Sequence, residues 1–461
     1  MKPCLQATLC GISSPNPFWL ASAPPSNSAY QVKRAFEAGW GGAVWKTIGH
    51  EPIVNVSSRY AAVDYDGRKI MGLNNIELIT DRTLNDNLRE IREVKRAFPD
   101  RALVVSLMVE SERERWHDIV KRTQDTGCDG LELNFGCPHG MSERGMGSAV
   151  GQVPEYTERI TAWVKEAARI PVLVKLTPNV TNVRAIGRAA RAGGADGLSL
   201  INTINSIMGI DLDTLAPKPQ VAGRGSHGGY CGPAVKPIAL NLVHQIASDP
   251  QIALPVSGIG GIQAWQDAVE FLLLGSSTVQ LCTAVMHYGF RLIDPLVSGL
   301  ESWMAGKGFA RLDDFVGRSV PRVGDWADLD LGYKIVAAID QDACVHCGLC
   351  YIACEDGAHQ SILCTAVGVD DFLAAGGAAA RLVTYSGGKR AVSGGGDGVV
   401  NVYRVNQDTC VGCNLCSLVC PVHGCISMVE RESAIPRMSW REYQQRLARG
   451  EVAKIAPPTH V

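Results

Sequence analysis

Up to about residue 308 the chain alternates short β-rich runs with amphipathic helical stretches, and the alternation repeats eight times. The runs lie at 18–23, 43–47, 103–108, 131–135, 172–176, 198–202, 255–259 and 279–283, and helical segments follow, for example at 154–169, 183–192, 234–248 and 264–274. A strand followed each time by a helix returns the chain to the same edge, so the strands must run parallel. Eight such units predict an α/β fold that closes into a (β/α)8 TIM barrel rather than an open sheet.

In such a barrel the strand C-terminal ends form the active face. The residues that finish the runs are therefore the candidates: Ser22 and Ala23, Lys46, Asn134, Lys175, Asn202 with Thr203, Gly260 with Gly261, and Thr283. A lysine at the end of a buried strand commonly snorkels or pairs with a carboxylate, but two on one mouth suggest a bound anionic or electron-rich group.

Past the barrel (1–308), residues 309–340 read as an acidic connector, 341–430 as an α+β ferredoxin-like domain with a Gly-rich insert at 365–409, and 431–461 as a tail rich in Arg and Pro. Alternating runs near 381–385 and 399–405 make the insert an exposed β-hairpin. The domain assignment rests on Cys344, Cys347, Cys350, Cys354 and on Cys410, Cys413, Cys416, Cys420, two copies of CxxCxxCxxxC. That spacing lets three thiolates of one loop hold three irons of a cubane while the fourth cysteine serves the partner cluster. The expected sets are Cys344, Cys347, Cys350 with Cys420, and Cys410, Cys413, Cys416 with Cys354, each holding one 4Fe-4S cluster. Structural zinc would need only four thiolates at looser spacing. Cys364 and Cys425 read as plain buried cysteines.

Charge excludes other classes. With 44 Lys+Arg against 46 Asp+Glu the net charge is -2, without the basic field that nucleic acid or an anionic membrane would need. The apolar window around Ala268 to Met286 is interrupted by Glu270 and Gln280, so no membrane span is expected. Lys2 and Ala21-Ser22-Ala23 imitate a secretory signal, but Ser13-Ser14-Pro15-Asn16-Pro17 breaks its apolar region. Clustered cysteines with metal-ligand spacing point to a reducing, cytoplasmic setting.

The pattern GxGxxG occurs at Gly223, Gly225 and Gly228, without the preceding strand and following helix that dinucleotide binding requires. A phosphate fits better at SerGlyIleGlyGlyIle (257–262) and ValGlnLeuCysThrAla (279–284), after the seventh and eighth strands. FMN is the natural occupant beside iron–sulfur clusters, because it converts single electrons into a hydride. The Gly-rich loop after the fourth strand carries Cys137, whose thiol, ordinarily of pKa about 8.5, can give a proton to a carbanion-like centre. Asn75, Asn134, Asn202 and Thr203 offer paired donors and acceptors suited to a cyclic imide.

The motifs TrpLysThrIleGly (45–49), AsnAsnIleGluLeuIle (74–79), GluLeuAsnPheGlyCysProHisGlyMet (132–141), LysLeuThrProAsnVal (175–180), IleAsnThrIleAsnSer (201–206) and both cysteine runs resemble the FMN- and iron–sulfur-containing subunits of bacterial NAD-dependent dihydropyrimidine dehydrogenases and the C-terminal half of the eukaryotic enzymes. The resemblance implies reduction of uracil or thymine, with Cys137 as proton donor at carbon 5. It places the pyrimidine on Asn75, Asn134, Asn202 and Thr203, and the flavin against Lys46 and Lys175. It also implies a hetero-oligomer in which NAD(P)H and FAD belong to a partner subunit. Gly136 departs from the family, which often has Ser beside the catalytic Cys, and the insert is longer than expected. The alternatives are a dihydroorotate dehydrogenase-like enzyme acting on another cyclic imide or enone, and a non-catalytic electron-transfer flavoprotein.

Overall fold

The computed structural model describes residues 2–63, 71–138, 140–141, 145–357, 359–375, 384–386, 389–391 and 399–455. It divides into two compact units, Met1–Val323 and Gly324–Val461.

The first unit is a closed parallel barrel. Its strands are β1 (Phe18–Leu20), β2 (Gly42–Ile48), β3 (Ala102–Leu107), β4 (Gly130–Asn134), β5 (Val172–Lys175), β6 (Gly197–Leu200), β7 (Val256–Ile259) and β8 (Ser276–Leu281). Closure is made by β8 on β1, with Val279 opposite Phe18 and Gln280 opposite Trp19. Helices such as Pro154–Ala167, Val183–Ala192, Lys236–Ala247 and Trp265–Leu273 cover the outside, so the strands are buried on both faces and read as nearly continuous apolar runs.

One mouth is plugged. The antiparallel pair Ala7–Leu9 and Ile12–Ser14 packs Leu9 and Ile12 against Trp19, Val44 and Val104. A Cβ on Gly130, which begins β4, would lie 2.8 Å from Ile12 Cδ1, and one on Gly197, which begins β6, 2.4 Å from Cys10 Sγ. Small residues at strand starts thus seat the plug at the N-terminal end and leave the C-terminal end for chemistry.

Over that C-terminal end lies a four-stranded antiparallel sheet made of Ile204–Ser206, Gly228–Cys231, Leu73–Asn75 and Tyr60–Ala62, in that order. The GxGxxG pattern leads into it. A Cβ on Gly228 would lie 2.3 Å from Asn74 Oδ1, and one on Gly229 2.2 Å from Thr203 Oγ1, so these glycines serve close strand approach.

The segment expected as a connector, 309–340, does not behave as one piece. Phe309 and Phe315 stack at 5.3 Å beside Trp303, and the amides of Gly317 and Ser319 each reach a carbonyl of the helix end at Leu272 and Leu273, at 2.9 Å. Aromatic burial therefore carries the first unit to Val323. Lys334–Ile339, at the other end of the segment, is a strand of the second unit paired with Ile426–Arg431.

The second unit also holds the antiparallel arms Ile362–Gly368 and Val399–Val405, the short helices Leu349–Glu355 and Leu415–Val419, and the helix Trp440–Ala448 capped by Ser439. That last helix gives the tail a fixed place, with Tyr443 buried and Arg441 bonded to Asp328 at 2.9 Å. The glycines at 387–388 and 394–398 and His139 lie outside the described residues. Among the described residues no helix is long and apolar enough to cross a membrane.

Candidate active site

A cavity of about 1180 Å³, open to solvent at one side, occupies the C-terminal mouth of the barrel. Every candidate of the barrel lines it: Ser22, Ala23, Lys46, Asn75, Asn134, Cys137, Lys175, Asn202, Thr203, Gly260, Gly261 and Thr283.

At its centre two amides interlock. Asn134 ends β4, and its Oδ1 accepts from Asn202 Nδ2 at 2.9 Å and from the Gly136 amide at 3.2 Å, while its Nδ2 donates to Thr47 Oγ1 at 3.0 Å. Asn202 Oδ1 accepts from the Thr203 amide at 2.8 Å. A primary amide has two N–H donors and two lone pairs. Among the described residues one N–H on each asparagine and one lone pair on Asn202 are left over, a donor–donor–acceptor set that complements an imide edge. Cys137 follows in a buried position among Ile79, Met108, Met141 and Met146. Gly136 has no space for a side chain, since a Cβ there would sit 2.4 Å from Asn202 Cβ and 2.5 Å from Nδ2. Asn202 packs into the space.

The lysines are held by carboxylates that sequence reading did not single out. Lys46 Nζ lies 2.5 Å from Glu77 Oε1, with both side chains under a tenth exposed. Glu77 also takes Arg59 at 3.3 Å and the Tyr60 hydroxyl. Burial, and then this bond to Glu77, raise the Tyr60 phenol above its ordinary range and keep it a donor. Lys175 Nζ lies 3.7 Å from Glu132 Oε1, and Glu132 Oε2 accepts from Ser199 Oγ at 2.7 Å. Glu132 was legible in principle: it stands two residues before Asn134 on one strand, and alternate residues share a face. Cys231 and Cys282 also line the cavity; burial pushes the Cys282 thiol up to about 12, against the pull of Lys175 and Lys46, so it stays protonated.

The residues present fit FMN. Gly260 (φ +132°) and Gly261 (φ +76°) line the cavity end beside Thr283, and neither amide has an acceptor among the described residues. A Cβ on Gly260 would lie 2.7 Å from Ala239 Cβ, and one on Gly261 2.8 Å from the Lys236 amide nitrogen, so only glycine builds this cradle. Gln280 Oε1 is buried at the cavity floor with no hydrogen-bond partner among the described residues.

Nine cysteines of the second unit line two smaller cavities. One, of about 300 Å³, is bordered by Cys344, Cys347, Cys350 and Cys420, with Cys425 beside them; the other, of about 360 Å³, by Cys354, Cys410, Cys413 and Cys416. Cys350 and Cys354 lie one helical turn apart and face neighbouring cavities. Among the described residues no three His, Cys, Asp or Glu converge closely enough for a single metal ion, so each set surrounds a space rather than a point. The amides of His346 and Ser361 approach Cys344 Sγ and Cys354 Sγ at 3.4 and 3.2 Å, the kind of bond that tunes a cluster. Cys425 is buried as expected, but Cys364 is exposed, because its strand Ile362–Gly368 packs only at its first residue.

The dihydroorotate dehydrogenase family matches residues 4–304, and the 4Fe-4S dicluster domain matches 387–428, which holds the second cysteine run. The NAD-dependent dihydropyrimidine dehydrogenase subunit PreA of Escherichia coli K12 is 40% identical over 359 residues, 78% of this chain and 87% of its own length. The chloroplastic dihydropyrimidine dehydrogenase (NADP(+)) of Arabidopsis thaliana is 40% identical over 339 residues, 71% of this chain and 80% of its own. The catalytic subunit of dihydroorotate dehydrogenase B (NAD(+)) from Pyrococcus abyssi is 36% identical over 314 residues, 68% of this chain and 98% of its own. The chain belongs to the family that the dihydropyrimidine dehydrogenase subunits form, an FMN-binding dihydroorotate dehydrogenase-type barrel joined to a 4Fe-4S dicluster domain.

Proposed function

We propose that this chain is the catalytic subunit that reduces uracil or thymine to the 5,6-dihydropyrimidine, with reducing equivalents that originate from NAD(P)H at a separate FAD-bearing subunit. The observation that carries the reading is the Asn134–Asn202 amide pair, with its spare donors and acceptor, in the same cavity as Cys137.

Bound FMN supplies the hydride. Ser22, Ala23, Lys46, Lys175, Gly260, Gly261 and Thr283 would hold it, the glycine amides at its phosphate end. Asn75, Asn134, Asn202 and Thr203 bind the carbonyl and N–H edge of the pyrimidine and fix its orientation. Cys137 Sγ delivers the proton to carbon 5 from a pocket of Met and Ile side chains that excludes water. In the second unit Cys344, Cys347, Cys350 and Cys420 ligate one 4Fe-4S cluster, and Cys354, Cys410, Cys413 and Cys416 the other.

The charge of the cavity favours a neutral pyrimidine over orotate. Among the described lining residues the only basic side chains are Lys46 and Lys175, and each faces a buried glutamate. Among the described residues no lining cation is left for a substrate carboxylate, which would be costly to desolvate alone.

The test is anaerobic. The chain loaded with FMN and clusters is reduced stoichiometrically, then mixed separately with uracil, thymine or orotate while flavin absorbance and dihydro product are followed. Reoxidation by uracil or thymine, slowed about 10²–10⁴-fold by Cys137→Ala, is the expected result. Faster reoxidation by orotate would overturn the reading.

A further inference from the structure

The two cysteine-lined cavities are not equivalent, and the difference comes from the insert. His346 sits inside the first binding loop, between Cys344 and Cys347, and is only 6% exposed. Its Nδ1 lies 3.0 Å from the Asn401 carbonyl, on the arm Val399–Val405. Its ring meets Phe372, on the short helix Val369–Ala374 between the arms, edge to face at 5.0 Å and 89°. His346 holds φ +53°, a region unusual for a side-chain-bearing residue, so this loop depends on its surroundings for its shape.

The same arm supplies Tyr403, buried against the first cavity. Gln341 Nε2 donates to the Tyr403 carbonyl at 2.9 Å and ties the arm to the chain just before Cys344. Tyr403 Oη stands where a Cβ on Gly348 would be only 2.9 Å away. At the second cavity the described residues of the hairpin contribute only its root, Ile362 and Val405. Cys413 and Val411 of that second loop are exposed, as is Leu418 on the following helix.

We propose that the hairpin Ile362–Gly368 and Val399–Val405, with Phe372 clamped on His346, covers the cluster held by Cys344, Cys347, Cys350 and Cys420, and leaves the other cluster as the one open to exchange from outside this unit. The proposal rests on the ligand sets given above. Cluster potentials respond to solvent access and hydrogen bonding at the sulfurs. A cover that keeps water from a cluster disfavours its more negative, reduced form, so the covered member has the lower potential.

Two variants of the full chain test this. Phe372→Ala removes the clamp and leaves every acidic residue in place. The second replaces 369–398 by Asn-Gly; because Gly368 pairs with Val399, a two-residue turn closes the arms in register. Iron content and electron paramagnetic resonance during a redox titration are read first, with Cys413→Ser used to identify the signal of the second cluster. Bleaching by ferricyanide is then timed. The expected result is a raised potential and several-fold faster bleaching for the first cluster in both variants, with the second unchanged. Unchanged behaviour of the first cluster, or a change confined to the signal that Cys413→Ser marks, would overturn the cover. A parent chain holding one cluster instead of about eight irons in two would overturn the ligand sets themselves and the cover with them.

Discussion

Gly136 is the position where a single methyl group tests the substrate site. In Gly136→Ala the new Cβ falls 2.4 Å from Asn202 Cβ and 2.5 Å from its Nδ2, closer than real Cβ contacts come. The backbone at 136 is not in the left-handed region, so the penalty is contact alone, and Asn202 must give way, its backbone included, because rotating the side chain does not move Cβ. Moving it breaks the bond to Asn134 Oδ1 (2.9 Å) and the one from the Thr203 amide (2.8 Å). At about 1 kcal/mol each, the loss is about 2 kcal/mol, or roughly thirtyfold in kcat/KM.

Because these amides hold the substrate before and during the reaction, most of that loss belongs in KM. The assay is uracil turnover at saturating reduced flavin, together with uracil binding followed by the flavin spectrum. A cycle with Asn202→Gly sharpens it: once the whole Asn202 side chain is gone, the three atoms nearest the added methyl at 136 go with it, and the methyl should cost far less than in the parent. Gly136→Ser carries the same Cβ and must also raise KM. A KM within a factor of about two of the parent for Gly136→Ala, or additive losses in the cycle, would refute the packing argument.

Gly260→Ala meets both a φ of +132° and Ala239 Cβ at 2.7 Å, so the purified protein should retain far less FMN, read from its absorbance ratio; full retention would remove Gly260 from the cradle. Glu77→Gln leaves the buried Lys46 ammonium without its anion, a change that costs about 3–5 kcal/mol in comparable pairs. Calorimetry of the first unit's transition should show Tm lowered by several degrees, with Lys46→Met in the same background restoring part of it.

The barrel was legible because its signal is local. A strand buried on both faces is a continuous apolar run, and each run lies within its observed strand or overlaps it, as at 172–176 for Val172–Lys175. The residues at strand ends were legible for the same reason, since a barrel puts them all at one mouth. The sheet over the mouth was not. Its strands are short, and partners such as Asn75 and Gly229 stand far apart in sequence, so no periodicity announces them. Glu77 and Tyr60 belong to that sheet and its approach, and were missed with it. The boundary near 308 was placed by acidic composition, whereas Phe309 and Phe315 decide it by burial against Trp303.

Two glycine-rich stretches show how far a motif carries. At 223–228 the spacing imitates a phosphate loop, yet what replaces the missing Cβ is protein: Pro217 at 2.5 Å from Gly225 and Asn74 at 2.3 Å from Gly228. At 260–261 the Cβ would also meet protein, but the two residues line the cavity and their amides have no acceptor among the described residues. Glycine marks a close approach in both; what distinguishes them is whether the backbone donors are already satisfied. The Gly223 amide donates to Gln220 Oε1 at 2.8 Å, and Gly228 and Gly229 lie in a strand paired on both sides, with Asn205 and with Asn75 opposite Gly229. Among the described residues the loop after β7 gives neither of its two glycine amides an acceptor, which suits them to bind a phosphate.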